Sequence, residues 1–137
     1  MTRSRLAGAL LSLTALLSAG CHYELMHPGE RCGSCHDGKK APVFAVAGTL
    51  YPGPDAEPRD GLEGVTLEIT ATDGGTALLR SNEGGNFFTT ASLAPPLKVV
   101  LRHNGVTTST NAPSGDCNSC HPRASSAPTG PGRVFVR

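Results

Sequence analysis

Leu97-Lys98-Val99-Val100-Leu101-Arg102-His103-Asn104-Gly105-Val106-Thr107-Thr108-Ser109-Thr110 is the stretch on which the fold turns. Leu97, Val99 and Leu101 alternate with Lys98, Val100 and Arg102, a period of two that sets one apolar row on one face of a strand. His103 falls in line with that row. Asn104-Gly105 supplies the two residues that tolerate positive φ in a tight hairpin, so Val106–Thr110 returns as a second strand. Reading back toward the N-terminus, Val65, Leu67 and Ile69 alternate with Thr66, Glu68 and Thr70. Asp73-Gly74-Gly75 is a turn, Ala77-Leu78-Leu79-Arg80 a short strand, and Asn86-Phe87-Phe88-Thr89-Thr90 another after a glycine pair. Val43–Leu50 opens the region, and the Pro/Gly/Asp stretch from Pro52 to Gly61 reads as a loop. With almost no helical periodicity between Val43 and Thr110, six or seven short strands predict a mainly β chain, folded as a sandwich.

The core of such a sandwich is small. The chain has 137 residues, only 4% aromatics and no Trp, but 17 Gly and 11 Pro, which is room for one domain with a modest interior. Covalent cofactors, disulfides or metals are the usual supplements at this size.

Four of the five cysteines fall in one pattern used twice, Cys32-Gly33-Ser34-Cys35-His36 and Cys117-Asn118-Ser119-Cys120-His121. C-x-x-C-H is the attachment signature of c-type haem. Two thiols three residues apart on a tight turn reach the two vinyl groups on one porphyrin edge, and the adjacent imidazole lies under the iron. Three other readings compete: a four-thiolate zinc site, disulfides, and a redox dithiol. Against zinc, 81 residues lie between Cys35 and Cys117, rather than about fifteen to twenty. Against the dithiol, no βαβ pattern surrounds either pair. None of the three requires His after each second cysteine, which composition alone would give about once in a thousand. The expectation is two covalently bound haem c groups, held by Cys32, Cys35, Cys117 and Cys120, with His36 and His121 as proximal iron ligands.

For the distal positions the remaining histidines are His22, His27 and His103, and Met26 is the only methionine besides Met1. His27 lies five residues before Cys32, beside Pro28-Gly29, which bend the chain. His103 ends an apolar strand. These two are the candidate distal ligands, with crossed ligation between the haems left open and Met26 as the minority alternative to His27.

Residues 1–20 read as an export signal: Arg3 and Arg5 are the positive region, and Leu6–Leu17 is an apolar run too short to span a bilayer. The run ends Leu17-Ser18-Ala19-Gly20-Cys21, which resembles the lipobox of bacterial lipoproteins, although Ser18 stands where a branched apolar residue is usual. Acylation of Cys21 would anchor the mature chain to a membrane. His22 after it, rather than Asp, leans toward the outer membrane. Without Arg3 and Arg5 ten basic residues face eleven acidic ones, and no basic stripe suggests a nucleic-acid partner.

Gly64-Val65-Thr66-Leu67-Glu68-Ile69, the Asp73-Gly74 turn and Ser81-Asn82-Glu83-Gly84-Gly85-Asn86-Phe87 resemble the carboxypeptidase-regulatory-like, or prealbumin-like, sandwich domains. That resemblance covers about half the chain and implies a seven-strand sandwich that serves as a spacer or adhesion module. The flanking segments resemble small multihaem c-type cytochromes of bacterial envelopes. The expected organisation is a signal peptide at 1–20, a first haem-binding segment at 21–42, the sandwich at 43–112, and a second haem-binding segment with tail at 113–137. Haem attachment takes place on the exported side in bacteria, which agrees with the signal.

The expected function is one-electron transfer between envelope redox proteins, without enzymatic turnover of a substrate. Lys39, Lys40 and Arg123 lie near the motifs, either as a docking site for an acidic partner or as solvated charges. The alternative is a surface binding or adhesion lipoprotein stapled by disulfides or zinc. A third class, a haem enzyme or gas sensor, would need an open sixth position and a distal pocket that the sequence does not display.

Overall fold

A computed structural model describes residues 25–121 and 132–136. The signal segment, Cys21, His22 and Arg123 lie outside the described residues. The described chain is a mainly β sandwich of seven strands, six of them in the segments that alternation and turns mark out. Strands β1 (Val46–Tyr51), β4 (Asn86–Thr89) and β7 (Val134–Phe135) form one sheet in the order β4-β1-β7. Strands β2 (Thr66–Ala71), β3 (Thr76–Arg80), β5 (Leu97–His103) and β6 (Val106–Ala112) form the other, in the order β3-β2-β5-β6.

The second sheet follows directly from its sequence. Leu67, Ile69 and Ala71 of β2 are buried, as are Leu97, Val99 and Leu101 of β5, while their odd-one-out neighbours face solvent or the rim. The hairpin closes through Asn104 at φ 48° and Gly105 at φ 80°, the geometry expected of Asn-Gly. Edge strands β3 and β6 are the more exposed, and β6 is rich in Thr and Ser. The two apolar rows close on Val46 and Leu50 of β1 and on Phe87 of β4, each side chain contributing about 1.5–3 kcal/mol by leaving water.

Strand β1 is the hub, buried along its whole length. One edge pairs antiparallel with β4, setting Gly48 opposite Phe87. Its other edge is shared. Ala47 donates its N–H to Gly115 O at 2.9 Å and forms a parallel bridge with Asp116, while Leu50 and Tyr51 pair in parallel with Val134 and Phe135. The chain that leaves β6 therefore lies down on β1 before the tail returns as β7, with the Arg133 guanidinium over the Tyr51 ring at 4.7 Å. Two details differ from the sequence reading. Val43 and Phe44 do not join β1: Val43 is exposed, and Phe44 turns toward His36. The other is the boundary of the sandwich, which extends past residue 112: the apolar end of the tail, residues 133–137, which the sequence offers either as an edge strand or as packing on a porphyrin, supplies β7 at the edge of the first sheet.

Candidate functional site

The two C-x-x-C-H segments have the same local form. Cys32–Ser34 is a single 3₁₀ turn, and the N–H of His36 bonds back to Cys32 O at 2.9 Å. Cys117–Cys120 is one helical turn, here α1, and the N–H of His121 bonds back to Cys117 O at 2.9 Å. Each histidine thus closes the turn that its cysteines open. Each imidazole is also held at Nδ1 by a backbone carbonyl: Pro42 O for His36 at 2.8 Å, and Gly132 O for His121 at 2.5 Å. A carbonyl can only accept, so Nδ1 carries a proton, and in the neutral ring Nε2 then keeps its lone pair. This is the tautomer that a metal ligand needs, with the outer hydrogen bond already made. Phe44 stacks on the His36 ring at 3.7 Å between centroids, and Phe88 stacks on Phe44 at 4.6 Å, so the plane of His36 is held as well.

Each motif opens into a groove. The first, about 520 Å³ of empty space counting its open mouth, is lined by Met26, His27, Cys32, Cys35, His36 and the edge of Phe88, among others. The second, about 1300 Å³ on the same basis, holds Cys117, Cys120 and His121 against Leu50, Val99 and Leu101. Counting only the space a water molecule can enter, the first is a narrow cleft of about 50 Å³ and the second about 480 Å³, so only the second falls in the range of about 300–1,000 Å³ usual for small-molecule sites; both have largely apolar walls and a few polar groups.

The two motifs meet across β1. Asn118 is 4% exposed and donates from Nδ2 to Glu30 O at 2.8 Å, two residues before Cys32. The same nitrogen lies 3.8 Å from Cys32 Sγ. The Arg31 guanidinium meets Asp116 at 3.4 Å, a partly exposed pair of small energetic weight. A Cβ on Gly48 would stand 2.8 Å from Cys117 Cβ, so α1 sits where only glycine leaves room.

Burial dominates the thiol electrostatics. It pushes Cys32 up to about 11, helped by the charge of Asp116, and Cys117 up to about 12, helped by Cys32, Asp116 and Cys120. A nucleophilic redox cysteine needs the opposite shift, so the dithiol reading loses ground. Cys32, Cys117 and Cys120 are free thiols. Cys35 is disulfide-bonded. A sulfur in a disulfide cannot also form a thioether, so haem attachment there requires the reduced form. Among the described residues no three His, Cys, Asp or Glu side chains gather as a bare-metal site.

Of the candidate distal ligands, the structure brings His27 into the first groove together with Cys32, Cys35 and His36, and Met26 beside it. It does not bring His103 to either motif. His103 stands at the hairpin end of β5, six residues from Leu97, and Leu97 pairs with Ala112, where β6 hands the chain on toward Cys117. At about 3.3 Å per residue that is roughly 20 Å along the strand. His103 lies instead in a polar hollow with Arg80 and Arg102, its Nε2 3.0 Å from Asn104 Nδ2. Strand periodicity carries no information about which end of the sandwich holds the motifs. No second His or Met lines the groove of His121 among the described residues.

Lys40 has a structural role that its sequence position did not announce: its Nζ donates to Ser34 O at 2.9 Å. Asp37 accepts the N–H groups of Lys39 and Lys40, both at 2.9 Å, and these bonds hold its carboxyl below the usual range. Asn118, Thr49, Asn86, Gly48 and Phe44 were missed by the sequence reading. Buried polar residues in an apolar strand such as β1 were the available signal, and only Thr49 carried it.

No protein-family model, curated protein or solved structure matches this chain.

Proposed function

We propose that the protein is a dihaem c-type electron carrier of the bacterial envelope, anchored through Cys21. The observation that supports this best is the paired treatment of His36 and His121. Both follow a C-x-x-C turn, both give Nδ1 to a backbone carbonyl, and neither Nε2 has a hydrogen-bond partner among the described residues. Chance burial of two unrelated histidines gives no reason for that repetition. Cys32 and Cys35 would hold one haem and Cys117 and Cys120 the other, each against the groove into which its imidazole opens. When bound, the haem iron supplies reversible one-electron exchange. The chain's own residues do the rest. Pro42 O, Gly132 O and Phe44 orient the two imidazoles, the apolar walls exclude water, and Asn118, beside β1, ties the second motif to Glu30, just before the first. Envelope redox proteins are the partners of this reading.

A second reading is favoured by one observation, the disulfide at Cys35, whose sulfur is then closed to haem: a binding or adhesion module in which cystine, not haem, staples the first motif. Absorption spectra separate the two. Protein made with periplasmic haem-attachment machinery should show a sharp α-band on dithionite reduction. A colourless product under those conditions overturns the electron-transfer reading in favour of the stapled module.

A further inference from the structure

Met26 and His27 are adjacent residues at φ 50° and 46°, the left-handed region that side chains other than Gly, Asn and Asp rarely adopt. Such strain persists only where the surroundings over-determine it, and it gathers at functional positions. The surroundings here are explicit. On the N-terminal side, Leu25 O accepts a hydrogen bond from Asn86 Nδ2. On the C-terminal side, Gly29 N–H donates to Thr49 Oγ1 at 2.8 Å, and Glu30 O accepts from Asn118 Nδ2 at 2.8 Å. The two left-handed residues are therefore clamped from both ends.

The three anchors are one connected chain. Thr49 Oγ1 donates to Asn86 Oδ1 at 2.7 Å and accepts from Asn118 Nδ2 at 3.1 Å, while Thr49 N–H donates to Asn118 Oδ1 at 3.0 Å. With Gly29 N–H added, the Thr49 hydroxyl uses its one donor and both acceptor positions. Asn118 uses both amide hydrogens, and its carbonyl oxygen faces an N–H, so the amide has one consistent orientation. Thr49, Asn86 and Asn118 are 1%, 6% and 4% exposed, and a buried network satisfied this fully is rigid. Its last member stands between Cys117 and Cys120.

We infer that Asn118, inside the second C-x-x-C-H motif, is a positioning residue for the sixth coordination position of the first haem, acting through Thr49 and Asn86 on the Met26–His27 segment. The inference rests on the dihaem reading. It gives the motif's variable position a task that haem attachment does not demand, and it makes completion of one site depend on the other.

The test compares wild type with Asn118→Asp, which keeps the acceptor for Thr49 N–H but loses both donors. Thr49→Val serves as the second variant, removing the hydroxyl hub while keeping a strand-favouring shape. The full chain is made with haem-attachment machinery, and intact mass is read first, then electron paramagnetic resonance and carbon monoxide binding after reduction. Loss of anchors of this kind should raise the high-spin, carbon-monoxide-binding fraction of one haem about tenfold, with two haems still attached. In the same variants Gly29 N–H should lose protection from hydrogen exchange. A dihaem wild type whose variants stay low-spin and unreactive overturns the inference alone. So does a wild-type first haem that is already high-spin. A wild type without haem mass overturns the dihaem reading and the inference together.

Discussion

Gly48→Ala tests how the second motif is seated. The added Cβ would lie 2.7 Å from Phe87 Cζ, 3.1 Å from Phe87 Cε1 and 2.8 Å from Cys117 Cβ. Carbon atoms in good contact stand about 3.5–4.0 Å apart, so both neighbours would have to retreat by most of an ångström. Neither yields readily. Phe87 is 4% exposed within the core, and Cys117 is held by its own turn and by the Asn118 network. Overpacking of this kind costs about 1–3 kcal/mol, and replacing a glycine at ordinary φ returns about 0.4–1 kcal/mol through the unfolded chain. The expected net loss is about 1–2 kcal/mol, or roughly 5–15 °C in Tm for a domain of this size. Guanidinium unfolding of the haem-free protein measures it. Gly53→Ala is the control, since nothing lies within 4 Å of its Cβ. If Gly48→Ala unfolds together with Gly53→Ala, the turn of Cys117 does not rest on β1, and the adjacency of the two motifs falls with it.

The thiols make stability depend on pH in a way that reports on attachment. Burial raises Cys32 from 9.0 to about 11 and Cys117 from 9.0 to about 12, so folding disfavours their ionisation. The resulting stability is intact below pH 9 and drains as pH rises toward those folded values, by about 1.4 kcal/mol per pH unit for each thiol. Denaturant midpoints between pH 8 and 11 should therefore fall steeply for haem-free protein and stay flatter once thioethers replace the thiols; parallel curves would contradict this. His27→Ala should expose one iron of the loaded protein to carbon monoxide, whereas His103→Ala, at the far end of β5, should leave spectrum and potentials unchanged. A His103→Ala protein with an opened iron would show that a haem reaches the hairpin end of the sandwich.

Much of this was legible in the chain. The second sheet could be read almost residue by residue, because Leu67, Ile69, Leu97, Val99 and Leu101 keep strict alternation and Asn104-Gly105 sets the hairpin. Strand β1 was harder: buried on both faces, Val46–Tyr51 shows no alternation, and its small central residues disclose that something lies against them without saying what. The cysteine motifs announced their chemistry by spacing, and their shared one-turn geometry follows from it. Their proximity could not be read, since it depends on Ala47 and Thr49 leaving N–H groups at an edge that Gly115 and Asn118, about 68 residues on, return to occupy. The same gap explains His103. Periodicity says which face a residue takes, and only topology says which end.

On the proposed function each C-x-x-C-H motif carries one haem. The decisive measurement is the intact mass of the purified wild type, of Cys32→Ala/Cys35→Ala and of Cys117→Ala/Cys120→Ala, all made with the periplasmic attachment machinery. Two haems are expected on the wild type and one on each paired variant. A wild type at its bare polypeptide mass, or a paired variant that still carries two haems, would contradict it.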